Sequence, residues 1–477
     1  MTSIPMAQTM PGDSTRNDLR DLYRILLVRK SGSEFLATND QPITFPCLEI
    51  PRWERVAEHL NLALRQRYGL DGVCLFAPDL SVNTTDSVQP QYQVMHARRD
   101  AGPEPEGTRW LAANAVSDVL FADRQDYLAL AQAMGQMRQF REQRVYGPFG
   151  DPGWIDELFV WAQGELDAYG LRLTRDLQQL NASPTFALLR LKTNGSAVWF
   201  KAVGEPNLRE FKISLTLSKL FPGFVPTVIA TRKDWNGWLT TEFAGTPLDQ
   251  TSDSSFWKQA VKTLALLQVE SLGQSGQLLT SGCRDLRASR LLTLVDPFVD
   301  VISELMEEQP RTPPRSLGRD ELRVLAREMK ESLSEVNEIG IPDTLGSLDF
   351  NPGNILCSVD QCVFLDWAEA YVGFPFFTFE YLRRHLTRRL PEHAGLDLQV
   401  AQDYQTEWQS LLAPQEVAAA LDKSAFLGVV AYSLGMETWR NPELLRHPKT
   451  AGYLRSLARR MFFEMGRMRE RRQLCCN

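Results

Sequence analysis

The sequence predicts a bilobal α+β protein, a strand-rich lobe followed by a helix-rich one, with a small α/β module ahead of both. Three features carry that expectation. Up to about residue 248, short β-branched and aromatic runs alternate with single amphipathic helices, whereas residues 249–477 read largely as helix. Asn194-Gly195 between two apolar runs signals a tight hairpin. Near residue 350, a polar turn followed by two short strands sets two aspartates and an asparagine close together in the chain. A chain of 477 residues has room for two to four domains at roughly 150 residues each.

Residues 1–18 are polar, carry Pro5, Pro11 and Gly12, and are expected as a flexible tail. In the module at 19–145, residues 22–28, 72–76 and 92–97 read as strands, 53–68 as a helix ended by Gly69, and 127–140 as a second helix. That order resembles a Nudix hydrolase, on the strength of Glu54 and of Gly69-Leu70 at the helix end. The family's catalytic helix holds magnesium with an Arg-Glu pair and then a Glu-Glu pair. Leu62-Ala63 and Gln66-Arg67 stand there instead, and Glu54 alone cannot assemble a carboxylate metal cluster. The module is therefore expected to be a degenerate Nudix-like domain that recognises or packs, with an unrelated α+β domain as the alternative.

Pro148, Gly150, Pro152 and Gly153 mark a boundary, and a linker helix is expected within 146–170, with Trp154, Leu158, Phe159, Trp161 and Leu166 on its apolar face. The strand-rich lobe, 171–248, should contain strands at 186–191 and 197–202, a helix at 207–220 and a strand at 237–243. The helical lobe, 249–477, should start with a helix at 254–272. Helix-rich sequence follows at 279–338, broken by Pro310, Pro313 and Pro314, and then helices at 378–389, 400–412, 414–439 and 450–471.

Gly346 to Leu356 and Val363 to Trp367 carry the chemistry. The turn Asn351-Pro352-Gly353 brings Asn354 back beside Asp349, and strands at 355–357 and 362–365, joined at 358–361, lead to Asp366. Phosphoryl transfer needs such a set: one carboxylate to orient and deprotonate the attacking hydroxyl, and oxygen ligands for the metal on the phosphates. Asp349 suits the first role, Asn354 and Asp366 the second. The plain alternative is a polar surface turn.

On Asp349, Asn354, Asp366 and Trp367 the chain resembles the aminoglycoside phosphotransferase and choline kinase-like family, small-molecule relatives of the protein kinases. Its loop reads His-Gly-Asp-x-x-x-x-Asn, followed by an Ile-Asp-Trp-like segment. Ser347 and Leu348 replace His-Gly, which puts loop rigidity in doubt, and Gly373-Phe374-Pro375 replaces the family's Gly-Asp-Pro. The resemblance covers about residue 171 to the C-terminus. It implies a protein-kinase-like fold, ATP or GTP with Mg2+, and a small-molecule hydroxyl acceptor held by the helical lobe. Lys201 matches the lysine that grips the nucleotide phosphates, and Glu210 its helical partner. Backbone N–H groups of 181–185 and the Ser183 hydroxyl could cover phosphates, with an ordinary turn as the alternative, and backbone groups at Glu242, Phe243 and Ala244 would meet the base. The bland readings are a solvated lysine at a strand end and a glutamate complementing a helix dipole.

A net charge of −7 and a pI near 5.5 argue against a general nucleic-acid binder. The seven cysteines lack paired metal spacing and point to reduced thiols in a cytoplasmic protein. His59, His96, His385, His393 and His447 show no zinc spacing. The uncharged run 424–436 is too short to cross a bilayer, so no membrane role is expected. Arg455, Arg459, Arg460, Arg467, Arg469, Arg471 and Arg472 read as a solvated helix face, with an acidic partner as the alternative. The competing class is a regulatory protein, a pseudokinase with a nucleotide-sensing role, favoured by Ser347 and the degraded Nudix helix. A kinase of protein or RNA is a third reading.

Overall fold

The computed structural model describes residues 19–52, 55–80, 91–98, 104–143, 147–310, 313–393 and 395–476. The expected tail 1–18 and Glu54 lie outside the described residues. The chain forms two compact units, one reaching Phe211 and including Thr227–Glu242, the other made of Lys212–Pro226 and residues from Phe243 onward.

The first unit opens with β1 (Arg20–Arg29), β2 (Glu34–Thr38), β3 (Cys47–Pro51), α1 (Val56–Tyr68), β4 (Gly72–Phe76), β5 (Gln91–Ala97), β6 (Thr108–Ala112) and α2 (Arg124–Gln143). The sheet runs β4-β5-β1-β2-β6, with β3 also paired to β1. Ile25-Leu26-Leu27-Val28 is a continuous apolar run because both faces of β1 are covered: Leu26 and Val28 join a core with Phe35 and Met137, while Ile25 and Leu27 join one with Leu60 and Leu64 of α1. Helix α1 ends at Gly69 in a left-handed conformation, φ 65°, which glycine adopts without a Cβ penalty. Its first-turn acid, Glu58, accepts a hydrogen bond from Gln178, and the described residues hold no group of three or more His, Cys, Asp or Glu suited to a metal.

The same unit continues with α3 (Trp154–Leu166), β7 (Leu173–Ser183), β8 (Phe186–Thr193), β9 (Val198–Ala202), the first residues of α4 (Arg209–Leu220), whose remainder from Lys212 is counted with the second unit, and then β10 (Val228–Arg232) and β11 (Gly237–Thr241). These strands form an antiparallel sheet in the order β10-β11-β9-β8-β7. Helix α3 buries Trp154 edge-on to Trp235 at 6.3 Å and sets Trp161 against Phe200 at 6.0 Å, so the expected linker helix packs on this sheet. Gln179 of β7 clamps the backbone of β4 at Cys74, accepting at 2.8 Å and donating at 2.9 Å, and α1 packs against β7.

The second unit contains β12 (Thr246–Pro247), α5 (Ser254–Glu270), α6 (Ser275–Ser281), β13 (Arg284–Leu286), α7 (Ala288–Leu292), α8 (Val295–Glu307), α9 (Arg319–Ile339), β14 (Thr344–Ser347), β15 (Ile355–Cys357), β16 (Cys362–Phe364) and β17 (Ala370–Gly373). Then come α10 (Phe376–Arg389), α11 (Leu396–Trp408), α12 (Pro414–Gly435), α13 (Pro442–Leu445) and α14 (Pro448–Cys476). Two three-stranded sheets, β12-β15-β16 and β13-β17-β14, sit among these helices. Trp257, Phe298, Phe376, Tyr404 and Trp408 fill the core, where Phe379 stacks on Tyr404 at 4.0 Å.

Two expectations change here. Helix α12 is longer than its uncharged run and, at 22 residues, long enough to span a bilayer, but it lies mostly buried and ties Lys423 to Glu335 at 2.9 Å and Asp422 to Arg471 at 2.9 Å. The arginines of α14 are largely engaged, not solvated: Arg469 bonds Glu328, Arg472 bonds Glu335, Arg459 bonds Gln309 and Arg455 caps the Leu305 carbonyl. A helix stripe packed against acidic neighbours looks the same in sequence as one facing water.

Candidate active site

The expected hairpin forms. Leu348 N–H donates to the Glu369 carbonyl at 3.0 Å, fixing the loop entrance beside the β14–β17 ladder. Residues Pro352–Asn354 make a single 3-10 turn closed by Asn354 N–H to the Asn351 carbonyl at 2.8 Å. Leu365 N–H then donates to the Asn354 carbonyl at 2.8 Å, so the chain positions of Asn354 and Asp366 meet at the open end of the β15–β16 hairpin. Asp366 adopts φ 59°, a left-handed conformation uncommon for a residue with a Cβ. Aspartate tolerates it better than most residues, and the neighbouring Trp367, buried with its indole N–H on the Phe364 carbonyl, holds the bend.

Asp349 is half-buried and accepts from Tyr381 Oη at 3.1 Å and from the Asn351 amide. Burial, followed by the charge of Asp366, pushes its carboxyl up to about 6, against the two hydrogen bonds that favour the charged form. A carboxylate titrating there is poised to take a proton near neutral pH. Glu369 adds to the negative field but is itself held by Arg284 at 2.8 Å.

The Ser347 departure has a structural answer. Ser347 is buried; its Oγ accepts from the Asp349 N–H at 3.3 Å, and its own N–H donates to Thr378 Oγ1 at 3.0 Å. Thr378 in turn bonds Tyr371 Oη at 2.9 Å, so one strand and one helix support the loop without a histidine. Gly346 is required beneath them, because a Cβ there would lie 2.6 Å from Thr378 Oγ1 and collide with the Tyr371 ring. Sequence reasoning passed over Tyr381, Thr378 and Tyr371, since a tyrosine or threonine near a helix start carries no signal separating it from core.

The first unit holds the other expected residues. Lys201, on the third strand in chain order of its sheet, is paired in register with Leu188 and Trp238, and its ammonium bonds Glu210 in the first turn of α4. Glu210 is 2% exposed and Lys201 15%, so this is a buried ion pair and not a solvated lysine. Ser183 ends β7 in the β7–β8 turn, where its Oγ accepts from the Thr185 N–H at 3.3 Å. The Glu242 carboxylate is gripped by Arg190, with Trp199 Nε1 at 3.2 Å, and the Arg190 hydrogen bonds hold it below the usual carboxylate range. Its N–H is spent on the Ala197 carbonyl at 3.3 Å. At Phe243 the chain enters the second unit, and Phe243 accepts from Gly245 N–H at 3.1 Å while Ala244 is exposed.

No family model and no curated protein matches the chain. Solved structures similar to it include small-molecule phosphotransferases and kinases at low identity. A protein of Ralstonia eutropha described as an aminoglycoside phosphotransferase is 14% identical over 66% of this chain and 98% of its own, with a TM-score of 0.45. The macrolide 2'-phosphotransferase of Brachybacterium faecium is 12% identical over 63% and 98%, TM-score 0.41. The choline kinase of Streptococcus pneumoniae is 11% identical over 64% and 99%, TM-score 0.41.

Proposed function

We propose that this chain is an ATP- and magnesium-dependent phosphotransferase of protein-kinase-like fold that acts on a hydroxyl group of a small molecule. The observation that carries the reading is the hairpin that sets Asp349, with its carboxyl at about 6, on the loop whose far end brings Asn354 and Asp366 together. Asp349 orients the acceptor hydroxyl and takes its proton. Asn354 and Asp366 hold magnesium; two protein oxygens suit an ion that keeps waters and phosphate oxygens as its other ligands. Bound there, magnesium and ATP supply the phosphoryl group and neutralise its charge. Lys201 meets the nucleotide phosphates, with Glu210 as its counter-charge. Ser183 covers phosphates and the backbone at Glu242, Phe243 and Ala244 meets the base. GTP would be bound by the same groups.

The reading as an inactive sensor draws on Ser347 and on the degraded Nudix helix; the Ser347–Thr378–Tyr371 contacts support the catalytic reading on the first of these. The N-terminal module, Nudix-like in element order, acts as a packing element, supported by the Gln179 clamp on β4. A cytoplasmic setting accords with free Cys47, Cys74, Cys283, Cys357 and Cys362.

The test is titration of the full chain with ATP and magnesium beside Asp366→Ala, read by thermal shift and slow ATP hydrolysis. Magnesium-dependent stabilisation and hydrolysis absent from the variant are expected. Binding without hydrolysis would favour the sensor, and no binding would defeat both.

A further inference from the structure

We propose that Cys357 and Cys362 form a disulfide when the protein meets a peroxide, and that this bond, closed across the β15–β16 hairpin, weakens the end that carries Asn354 and Asp366. The bond itself stands apart from the phosphotransferase reading; its effect on metal and nucleotide rests on that reading. Cys357 and Cys362 are direct partners in the antiparallel ladder, one step inside the turn at 358–361. The hydrogen bonds fix which kind of pair they are. Ser358 N–H donates to the Gln361 carbonyl at 2.8 Å and Leu365 N–H to the Asn354 carbonyl at 2.8 Å, while Phe364 N–H turns outward to the Phe224 carbonyl at 2.8 Å. Hydrogen-bonded and non-hydrogen-bonded pairs alternate along such a ladder, so Cys357 and Cys362 make a non-hydrogen-bonded pair, the kind whose side chains come closer. Their Cα atoms are then about 4.5 Å apart, inside the roughly 4.4–6.8 Å that a disulfide bridges. Both are buried on the face of the hairpin shared with Ile355 and Phe364, and contact with Cys362, followed by burial, raises the Cys357 pKa. The other described cysteines lack such a partner: Cys47 stands opposite Arg24, Cys74 opposite Met95, and Cys283 lies outside the strands beside Ser281.

Cys362 reacts first. It lies on the outer strand of the β12-β15-β16 sheet, behind a turn whose Val359 is 84% exposed. Cys357 is on the inner strand, opposite Thr246, with its thiol directed to the Phe256 carbonyl at 3.9 Å. Both thiols are buried, so the reaction waits on fraying of the three-residue outer strand and is slow. The Cys362 sulfur attacks one peroxide oxygen, the O–O bond breaks and water leaves, giving a sulfenic acid. The Cys357 sulfur then attacks that sulfur, its proton departing with the displaced hydroxyl as a second water. Two thiols lose two electrons, and one peroxide becomes two waters. A disulfide holds its Cβ atoms about 3.8 Å apart, against about 4.5 Å for an ordinary cross-strand pair, so closure draws the two strands together. Asn354 stands three residues before Cys357 and Asp366 four after Cys362, so the shift is delivered to the proposed magnesium ligands.

The test treats the full chain with hydrogen peroxide, blocks remaining thiols with N-ethylmaleimide after unfolding, and weighs the tryptic peptide 331–383, which holds both cysteines. The expected peptide is unblocked and lighter by two hydrogens in the oxidised protein, blocked twice after dithiothreitol, and absent in that lighter form from Cys362→Ala and Cys357→Ala. Two blocked thiols after prolonged oxidation, or disulfides only to Cys47, Cys74 or Cys283, would overturn the proposal without recourse to any variant. ADP–magnesium titration of the same samples reads the consequence: affinity about tenfold weaker in the oxidised wild type, restored by dithiothreitol and unmoved by peroxide in Cys362→Ala. A closed bond with unchanged affinity would overturn the coupling to the site. No nucleotide binding by the reduced protein would defeat the phosphotransferase reading, and the coupling with it, while the mass measurement still decides the bond.

Discussion

The candidate site residues of the two units carry their charge in opposite ways. In the first, Lys201 reaches its site already neutralised by Glu210, and Glu242 by Arg190; each ion pair is complete within the sheet and the helix that follows. In the second, Asp349 and Asp366 repel each other, Asp349 is pushed up to about 6, and Asp366 sits in a left-handed backbone conformation. Asp349 already accepts from Tyr381 and Asn351, so the contrast is one of charge: in the first unit carboxylates are answered by cations of the chain, whereas Asp349 stands in the field of other carboxylates. On the proposed function, that field is where magnesium would act.

The largest test of this contrast is Asp349→Asn. Turnover should fall by about a thousandfold, within the range attributed to a positioned general base, measured by coupled ATP assay with a working acceptor. Stability should move the other way. The folded carboxyl titrates above its ordinary value, so its favourable contribution belongs to the protonated form, is fully present below about pH 4 and is lost as pH rises through about 6. Above pH 6 the variant should therefore be more stable than wild type, by on the order of 1–3 kcal/mol, with the gap closing in acid. Denaturant melts at pH 4 and 7.5 read this directly; a variant less stable at both would mean that the site is not strained.

Lys201→Met probes the first unit. Leaving Glu210 buried without its cation should cost about 3–5 kcal/mol, and adding Glu210→Gln should return most of it. Equal losses in the single and double variants would show that the pair is not self-contained. Tyr381→Phe makes the smallest change. Its hydroxyl lowers the Asp349 pKa, so its loss should raise the acid limb of the pH–rate profile by roughly half a unit while kcat at pH 8 changes little. An unmoved limb would remove Tyr381 from the site.

Local signals were strong where one element answers to one pattern. Val56–Tyr68 with Gly69 behind it, the Asn194-Gly195 hairpin and the Asp349 to Asp366 stretch all rest on neighbours in the chain, and each formed as expected. The strands Glu34–Thr38, Cys47–Pro51 and Thr108–Ala112 were missed because short edge and connecting strands owe their form to pairing partners and not to their own periodicity. The α14 arginines were misread for a related reason: a long cation packed against Glu328 or Asp422 has the same spacing as one in water.

The sequence by itself determined the placing of Asp349, Asn354 and Asp366, the residues proposed for the chemistry, through a turn and a four-residue hairpin loop that local chemistry specifies. It determined as well that the α1 helix lacks a second and third carboxylate for a Nudix metal cluster. Only the tertiary structure decided how the loop is held at Ser347, through Thr378 and Tyr371, and which arginines of α14 meet acidic partners. Those depend on which side chains from distant elements arrive together in one low-dielectric place, and burial, charge and hydrogen-bond partners exist only after the chain has closed on itself.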